Sequence, residues 1–123
     1  MPAYQGGCHC GRVRFAVETE EPIAAFGDCN CSVCQKKGIL HVRVAPEKLT
    51  ILSGADDIET YRFHSMTAEH NFCRHCGIHV TTKPRMHPTM RTANARCLDD
   101  FAALQAAASV ATFDGQNHPK DQA

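Results

Sequence analysis

Aromatic residues are scarce in this sequence, and tryptophan is absent. Phe and Tyr make up 7% of the 123 residues, so the chain has little material for a large apolar core. A net charge is missing as well, because 13 Lys and Arg residues balance 13 Asp and Glu residues. A neutral chain lacks the charge excess of disordered proteins and the basic excess of nucleic-acid-binding domains. We therefore expect one small domain, spanning residues 2–118, that needs cross-links to stabilise a thin core.

Targeting and membrane segments are not recognisable either. The first seven residues lack the basic and then apolar pattern of a secretory signal, and no apolar run is long enough to cross a membrane. The expected location is therefore the reducing cytoplasm, where clustered cysteines favour metal binding or catalysis. Disulfides are the alternative interpretation, but a bridge within a Cys-x-Cys unit would be strained.

Cysteine is the residue that the sequence has in abundance. Seven of the 8 cysteines fall in three clusters, which are Cys8-His9-Cys10, Cys29-Asn30-Cys31-Ser32-Val33-Cys34 and Cys73-Arg74-His75-Cys76. Structural zinc sites commonly combine two short knuckles into a tetrahedron of four thiolates. The first and third clusters supply four, so the spacing predicts a structural zinc site that joins an early turn to a distant hairpin.

The central cluster supplies three thiols, at Cys29, Cys31 and Cys34. Three protein ligands leave a fourth position open, which distinguishes catalytic zinc sites from structural ones. A thiol bound there would be deprotonated at neutral pH. Two alternatives stay open from spacing alone: Cys97 or a histidine closes the site, or the thiols divide differently among the clusters.

The remaining candidate residues carry weaker signals. Cys97 is interpreted as a small buried apolar residue, and His9 and His75 either tune the metal or serve as polar spacers. The other histidines considered lack ligand spacing and are treated as ordinary: His64, His70, His79, His87 and His118. Seven basic residues could line an anion pocket but are mostly interpreted as surface charges: Lys36, Lys37, Arg43, Lys83, Arg85, Arg91 and Arg96.

Alternation of apolar and polar residues predicts a mainly β protein. The predicted strands cover residues 12–18, 23–28, 39–44, 49–52, 58–63, 68–72, 78–82 and 89–98. Residues 35–38 are predicted to form a turn, and residues 100–108 to form one short C-terminal helix with Asp99 as its N-cap.

The cysteine clusters and their flanks resemble the glutathione-dependent formaldehyde-activating (GFA/CENP-V) family. Further matches are Arg96-Cys97-Leu98-Asp99 and Phe113-Asp114-Gly115-Gln116-Asn117, so the resemblance spans nearly the whole chain in order. It implies an Mss4-like β-tent of twisted antiparallel sheets with zinc knuckles and two zinc ions per chain. It also implies a structural zinc on Cys8, Cys10, Cys73 and Cys76, and a catalytic zinc on Cys29, Cys31 and Cys34.

The resemblance implies an activity as well, the condensation of glutathione with formaldehyde to S-(hydroxymethyl)glutathione. In the reverse direction this is a carbon–sulfur lyase reaction. The expected partners are therefore a small thiol such as glutathione and an aldehyde, with no membrane and no nucleic acid, and no feature specifies the oligomeric state. The competing hypothesis is a non-catalytic, zinc-stabilised module that binds protein or nucleic acid through the basic residues between Lys83 and Arg96. A thiol-redox protein is disfavoured because no thioredoxin-like βαβ pattern is present.

Overall fold

The chain folds into ten strands and two short helices within the residues that the computed structural model describes, 2–63, 65–85 and 88–114. The strands are β1 (Ala3–Gly7), β2 (Arg14–Glu18), β3 (Ala25–Cys29), β4 (Leu40–Val44), β5 (Leu49–Ser53), β6 (Ile58–Tyr61), β7 (Glu69–Cys73), β8 (His79–Lys83), β9 (Arg91–Asn94) and β10 (Ser109–Phe113). The helices are α1 (Ser32–Lys37) and α2 (Phe101–Ala107), and 3-10 turns cover Pro46–Lys48, Ala55–Asp57 and Ala95–Cys97. The prediction of a mainly β fold is confirmed.

Two sheets carry the fold. A three-stranded sheet has the order β1-β2-β5, and a seven-stranded sheet has the order β10-β3-β4-β9-β8-β7-β6. The strand pairs are antiparallel except β10 with β3, which is parallel. No helix in the described ranges is long and apolar enough to span a membrane.

The two sheets share one apolar core. Alternation in β2 buries Phe15 and Val17 completely, as predicted, and Val13 just before the strand is equally buried. The seven-stranded sheet contributes the other large members, Phe26, Leu40, Val42, Val44, Val80 and Ala93. The core therefore depends on holding the two sheets in contact.

Helix α1 was not predicted, because residues 35–38 were interpreted as a turn. The helix begins after Cys31, whose sulfur accepts a hydrogen bond from the Cys34 amide at 3.5 Å. It ends at Gly38, which is left-handed with φ 67°, the usual conformation of a helix C-terminus. A thiol replaces the usual Ser, Thr, Asp or Asn at the N-cap, so the standard capping signal is absent from the sequence.

Other predicted boundaries also need correction. Helix α2 has Asp100 rather than Asp99 at its N-cap, and Asp99 instead forms a two-fold ion pair with Arg14 at 2.6 and 3.1 Å. Predicted strand 89–98 shortens to Arg91–Asn94 and continues as a 3-10 turn. Strands β1 and β10 were not predicted at all. His64, His87, His118 and the predicted domain end at residue 118 lie outside the described residues.

Gly54 provides a test of the sheet packing. It is left-handed with φ 76°, and a Cβ atom there would collide with the carbonyl oxygen of Arg12. We expect Gly54→Ala to lower the free energy of unfolding by roughly 3 kcal/mol, because it combines left-handed strain with a backbone clash. Gly38→Ala is the matched control, since Gly38 is also left-handed but has no atom within 4 Å of that position. Gly38→Ala should lower the free energy of unfolding, measured by urea denaturation, by about 1 kcal/mol. Equal losses would contradict the role of the Arg12 contact.

Candidate metal centres and the adjoining cavity

The structure brings four thiols from the two sheets together. This four-thiol group consists of Cys8 and Cys10, between β1 and β2, and of Cys73 and Cys76, at the turn from β7 to β8. The Cys10 sulfur lies 3.6 Å from that of Cys8 and 3.7 Å from that of Cys73. Tetrahedral zinc with bonds of about 2.3 Å would separate its sulfur ligands by about 3.8 Å. The geometry therefore fits a four-coordinate zinc ion that joins the two sheets.

Backbone amides point at these sulfurs. The Val13 amide donates to the Cys8 sulfur at 3.3 Å, and the His75 amide donates to the Cys73 sulfur at 3.4 Å. Burial opposes ionisation of Cys76, but the Ile78 and Cys10 amides outweigh it and lower the pKa of Cys76 to about 6. Thiolates are the metal-binding form of cysteine, so this environment suits a metal.

The second cluster has three thiols. Cys29 ends β3, Cys31 caps α1 and Cys34 lies in α1, and their sulfurs all lie within 4.8 Å of one another. No fourth Cys, His, Asp or Glu among the described residues joins this three-thiol group. Cys97 is elsewhere, with its thiol donating to the His79 carbonyl oxygen at 3.3 Å. Burial raises the pKa of Cys97 to about 11, in keeping with the predicted inert role.

Charge is distributed unequally within the three-thiol group. Hydrogen bonds from the Cys29 and Cys34 thiols lower the pKa of Cys31 strongly, and the Cys34 amide helps. Hydrogen bonds with Cys29 and Cys31 raise the pKa of Cys34, and burial, which is greatest for Cys34 among the three, raises it further. Cys31 is therefore the thiol that ionises first in the free protein.

His41 on β4 adjoins this group and was not singled out from the sequence. Its Nε2 lies 3.7 Å from the Cys34 sulfur, and its Nδ1 lies 2.9 Å from the hydroxyl of Thr92. Burial lowers the pKa of His41 to about 4, so the ring is neutral. If Cys34 is a thiolate, Nε2 must donate to it and Nδ1 must accept from Thr92. The only sequence signal was the position of His41 between the apolar Leu40 and Val42, which places it on the opposite face of β4 from them.

A cavity of about 1130 Å³ opens beside the three-thiol group. Its floor is one face of the seven-stranded sheet, where directly paired residues share a face. Strand pairing places five residues in one row across β6, β7, β8, β9 and β4: Tyr61, His70, Thr82, Thr92 and Arg43. All but Tyr61 line the cavity, together with His41 and the cysteines. Non-local pairing thus assembles a polar floor in front of the thiols.

The direction of the hydrogen bond between His79 and the Thr82 hydroxyl is fixed by Lys37. Lys37 lies 3.4 Å from Nδ1 of His79, and Nε2 of His79 lies 2.6 Å from the Thr82 hydroxyl. Because Lys37 has only protons to donate, Nδ1 accepts and Nε2–H donates to Thr82. Burial lowers the pKa of His79, and the Lys37 charge adds to the effect. The Thr82 hydroxyl is therefore bonded to His79 as an acceptor.

The predicted basic residues separate into two sets. Arg43 and Arg85 line the cavity, whereas Lys37 lies outside it, 5.2 Å from the centre of the Phe72 ring. Lys36 is exposed, and the remaining three have partners within the chain: Lys83 pairs with Glu69, Arg91 donates to backbone carbonyls, and Arg96 donates to the Gly38 carbonyl oxygen.

The histidines within the cysteine spacers also differ from each other. The His75 ring is hydrogen-bonded to the Asp57 carboxylate at 2.7 Å. Asp57 also forms an ion pair with Arg74 at 3.9 Å, so both spacer residues between Cys73 and Cys76 contact this carboxylate. His9 is exposed. The structure therefore gives His75 an anchored position and leaves His9 as a spacer.

We expect His41→Ala to weaken metal binding at the three-thiol group by about 10–100-fold, because it removes the donor to the Cys34 sulfur. Competition with a chromophoric chelator would measure the metal affinity of the three-thiol group separately from that of the four-thiol group. His9→Ala is the control, since it removes an exposed imidazole and should leave the three-thiol group unaffected. An unchanged affinity in His41→Ala would show that the 3.7 Å contact does not tune the ligand.

Comparison with known proteins agrees with this geometry. The family model for the glutathione-dependent formaldehyde-activating enzyme matches residues 3–114. The chain belongs to this family. A crystal structure of a Rhodobacter sphaeroides protein, solved by structural genomics, is 30% identical to this GFA-family chain and superposes with a TM-score of 0.77. The match covers 87% of this chain and 99% of the Rhodobacter chain.

A second relative is known by name. It is a Halomonas elongata protein provisionally named as a glutathione-dependent formaldehyde-activating enzyme, 31% identical over 80 residues. That alignment covers 58% of this GFA-family chain and 50% of the relative. The chain therefore aligns with about half the length of the curated relative.

Proposed function

We propose that this protein catalyses the formation and cleavage of a thiol–aldehyde adduct, with S-(hydroxymethyl)glutathione as the adduct and a carbon–sulfur lyase as the enzyme class. The observation that carries the proposal is the three-thiol group. It offers three ligands, finds no fourth among the described residues, and lies at the wall of the cavity. That is the ligand set of a catalytic metal site rather than of a closed structural one.

Two zinc ions per chain are part of this proposal. Cys8, Cys10, Cys73 and Cys76 would hold a structural ion, and Cys29, Cys31 and Cys34 a catalytic ion. When bound at the three-thiol group, zinc supplies Lewis acidity that favours a thiolate or polarises a carbonyl oxygen. The Cys-only donor sets suit zinc, because thiolates select soft or borderline ions.

The cavity fits a peptide-sized thiol better than formaldehyde alone. Its volume of about 1130 Å³ exceeds the range of typical small-ligand pockets, about 300–1,000 Å³. Ile23, Phe26 and Phe63 supply apolar wall, which displaces water from the reacting atoms. Arg43 and Arg85 add positive charge that would complement the carboxylates of glutathione.

The chemistry balances without a redox cofactor. In synthesis the thiolate sulfur donates an electron pair to the carbonyl carbon, the C–S bond forms, and the C=O π pair moves to oxygen, which takes a proton. In cleavage each step reverses. The protein's residues orient the two reactants and exclude water, which lowers the entropic part of the barrier. His41 and Thr92 would hold the Cys34 sulfur in place.

A non-catalytic binding module is the weaker candidate. Its motivation was the set of basic residues between Lys83 and Arg96. Lys83 is paired with Glu69, and Arg91 and Arg96 are each held by a hydrogen bond to a backbone carbonyl oxygen, so all three side chains are engaged within the chain. We further propose that residues 2–118 form a single domain that works in the cytoplasm, where the thiols stay reduced.

The test is NMR exchange spectroscopy between formaldehyde hydrate and S-(hydroxymethyl)glutathione, with zinc-loaded protein added. The adduct forms unaided, so only acceleration above that background counts. We expect acceleration that saturates with glutathione and is absent after the three-thiol group is disrupted. No acceleration at two zinc ions per chain would overturn the proposed activity.

A further inference from the structure

His70 on β7 is buried without a hydrogen-bond partner. His70 is only 3% exposed, and neither of its ring nitrogens has a hydrogen-bond partner among the described residues. A buried polar group left unpaired costs about 1–3 kcal/mol, so such groups have a reason to exist. His70 also lines the cavity that adjoins the three-thiol group. The residue therefore lies at the cavity with both of its ring nitrogens left unpaired by the described residues.

Neighbouring rings hold the His70 imidazole in position. The ring centre lies 5.5 Å from Phe63, 6.5 Å from Tyr61 and 5.9 Å from His79. Strand pairing sets His70 directly opposite Thr82, whose hydroxyl is already bonded to His79. The ring is thus packed by aromatic neighbours, and its polar edge is not used by the protein itself.

The charge state of His70 narrows the ligand chemistry. Burial lowers the pKa of His70, the Lys37 charge lowers it further, and the Cys31 charge partly opposes both. A neutral imidazole offers one donor and one acceptor. A hydroxyl group can pair with either nitrogen, as a donor to one or as an acceptor from the other, whereas a carboxylate could use only the N–H donor. His70 also lines the same cavity as Cys29, Cys31 and Cys34.

We propose that His70 binds the hydroxymethyl hydroxyl of the thiol–aldehyde adduct, and so is a catalytic residue of the reaction proposed above. This inference rests on that proposed function. In cleavage the imidazole takes the hydroxyl proton, the C–O bond becomes C=O, and the C–S pair leaves with sulfur. The proton then passes to water. In synthesis the same steps run in reverse, with the imidazolium returning the proton to oxygen.

Two measurements test the proposal. The first records the imidazole ¹⁵N shifts of His70 in zinc-loaded wild type with S-(hydroxymethyl)glutathione and with S-methylglutathione, which lacks the hydroxyl. We expect a shift with the first ligand that the second does not produce. Equal shifts, or none, would overturn the proposal, because His70 would then bind another part of the ligand or only water.

The second measurement compares the exchange rates of three variants. His70→Phe keeps an aromatic ring and removes both nitrogens, so we expect about 100-fold slower turnover, within the range for general acid–base groups. His70→Gln keeps a donor and an acceptor but cannot carry the proton, so it should restore ligand affinity and not the rate. Tyr61→Phe is the control and should keep the wild-type rate, because it preserves the ring beside His70 and removes only a hydroxyl. Metal content should match wild type in all three, and His70→Phe should melt no lower than wild type, because it removes the two unpaired nitrogens.

The outcomes separate this inference from the proposed function. If wild type accelerates exchange and His70→Phe does so equally well, the inference fails and the function stands. If wild type gives the hydroxyl-dependent ¹⁵N shift without acceleration, the function fails and the His70 contact stands. Should His70→Phe fold poorly, the wild-type shifts together with His70→Gln still decide.

Discussion

Cys73→Ser is expected to abolish cooperative folding. Cys73 is fully buried, ends β7 and belongs to the four-thiol group that joins the two sheets. Structural zinc binding in small domains is worth about 10–16 kcal/mol, which equals or exceeds the usual net stability of about 5–15 kcal/mol. A serine hydroxyl is a poor zinc ligand, so most of that binding energy would be lost. Zinc content and the thermal transition should fall together.

The control for this prediction is Cys97→Ser. Cys97 is also partly buried but belongs to neither thiol group, so the variant should keep two metals per chain and lose only about 1 kcal/mol. Chelator treatment of wild type should reproduce the unfolding of Cys73→Ser. A cooperative melt in Cys73→Ser at unchanged temperature would show that the apolar core alone holds the sheets together.

Cys31→Ser is expected to remove the activity and spare the fold. Cys31 belongs to the three-thiol group, which connects β3 with α1 and does not bridge the two sheets. Losing one of three thiolates should leave this group without metal, so exchange should fall to the uncatalysed background. The free energy of unfolding should change by only about 1 kcal/mol, because serine is itself a preferred N-cap and its hydroxyl can accept the hydrogen bond from the Cys34 amide. Metal content should fall from two ions to one.

Ser32→Ala is the matched control beside it. Ser32 lines the cavity next to Cys31 but offers no metal ligand in either group, so metal content and exchange rate should stay near wild type. If Cys31→Ser melts as poorly as Cys73→Ser, the division between a structural and a catalytic site is wrong. If it keeps two ions and full activity, the three-thiol group is not the reacting centre.

Local patterns were sufficient to predict much of the framework. The alternation of Val13, Phe15 and Val17 predicted a half-buried strand because strand side chains repeat every two residues. Helix α1 escaped prediction because it has only six residues and a thiol at its N-cap. Strand β10 escaped because all of its residues are exposed, so it lacks an apolar face that alternation could reveal.

The sequence by itself predicted which cysteines lie together within each short cluster, since ligands two or three residues apart can share one ion. The tertiary structure decided that Cys8 and Cys10 combine with Cys73 and Cys76 and not with the central cluster. Only the tertiary structure decided what faces those thiols. His41, His70 and Thr82 come from three strands, and their meeting in one cavity depends on strand order and register. Those pairings are non-local, and a register shift of one residue would move each side chain to the opposite face. For that reason His70, ordinary in the sequence, becomes the unpaired imidazole of the cavity.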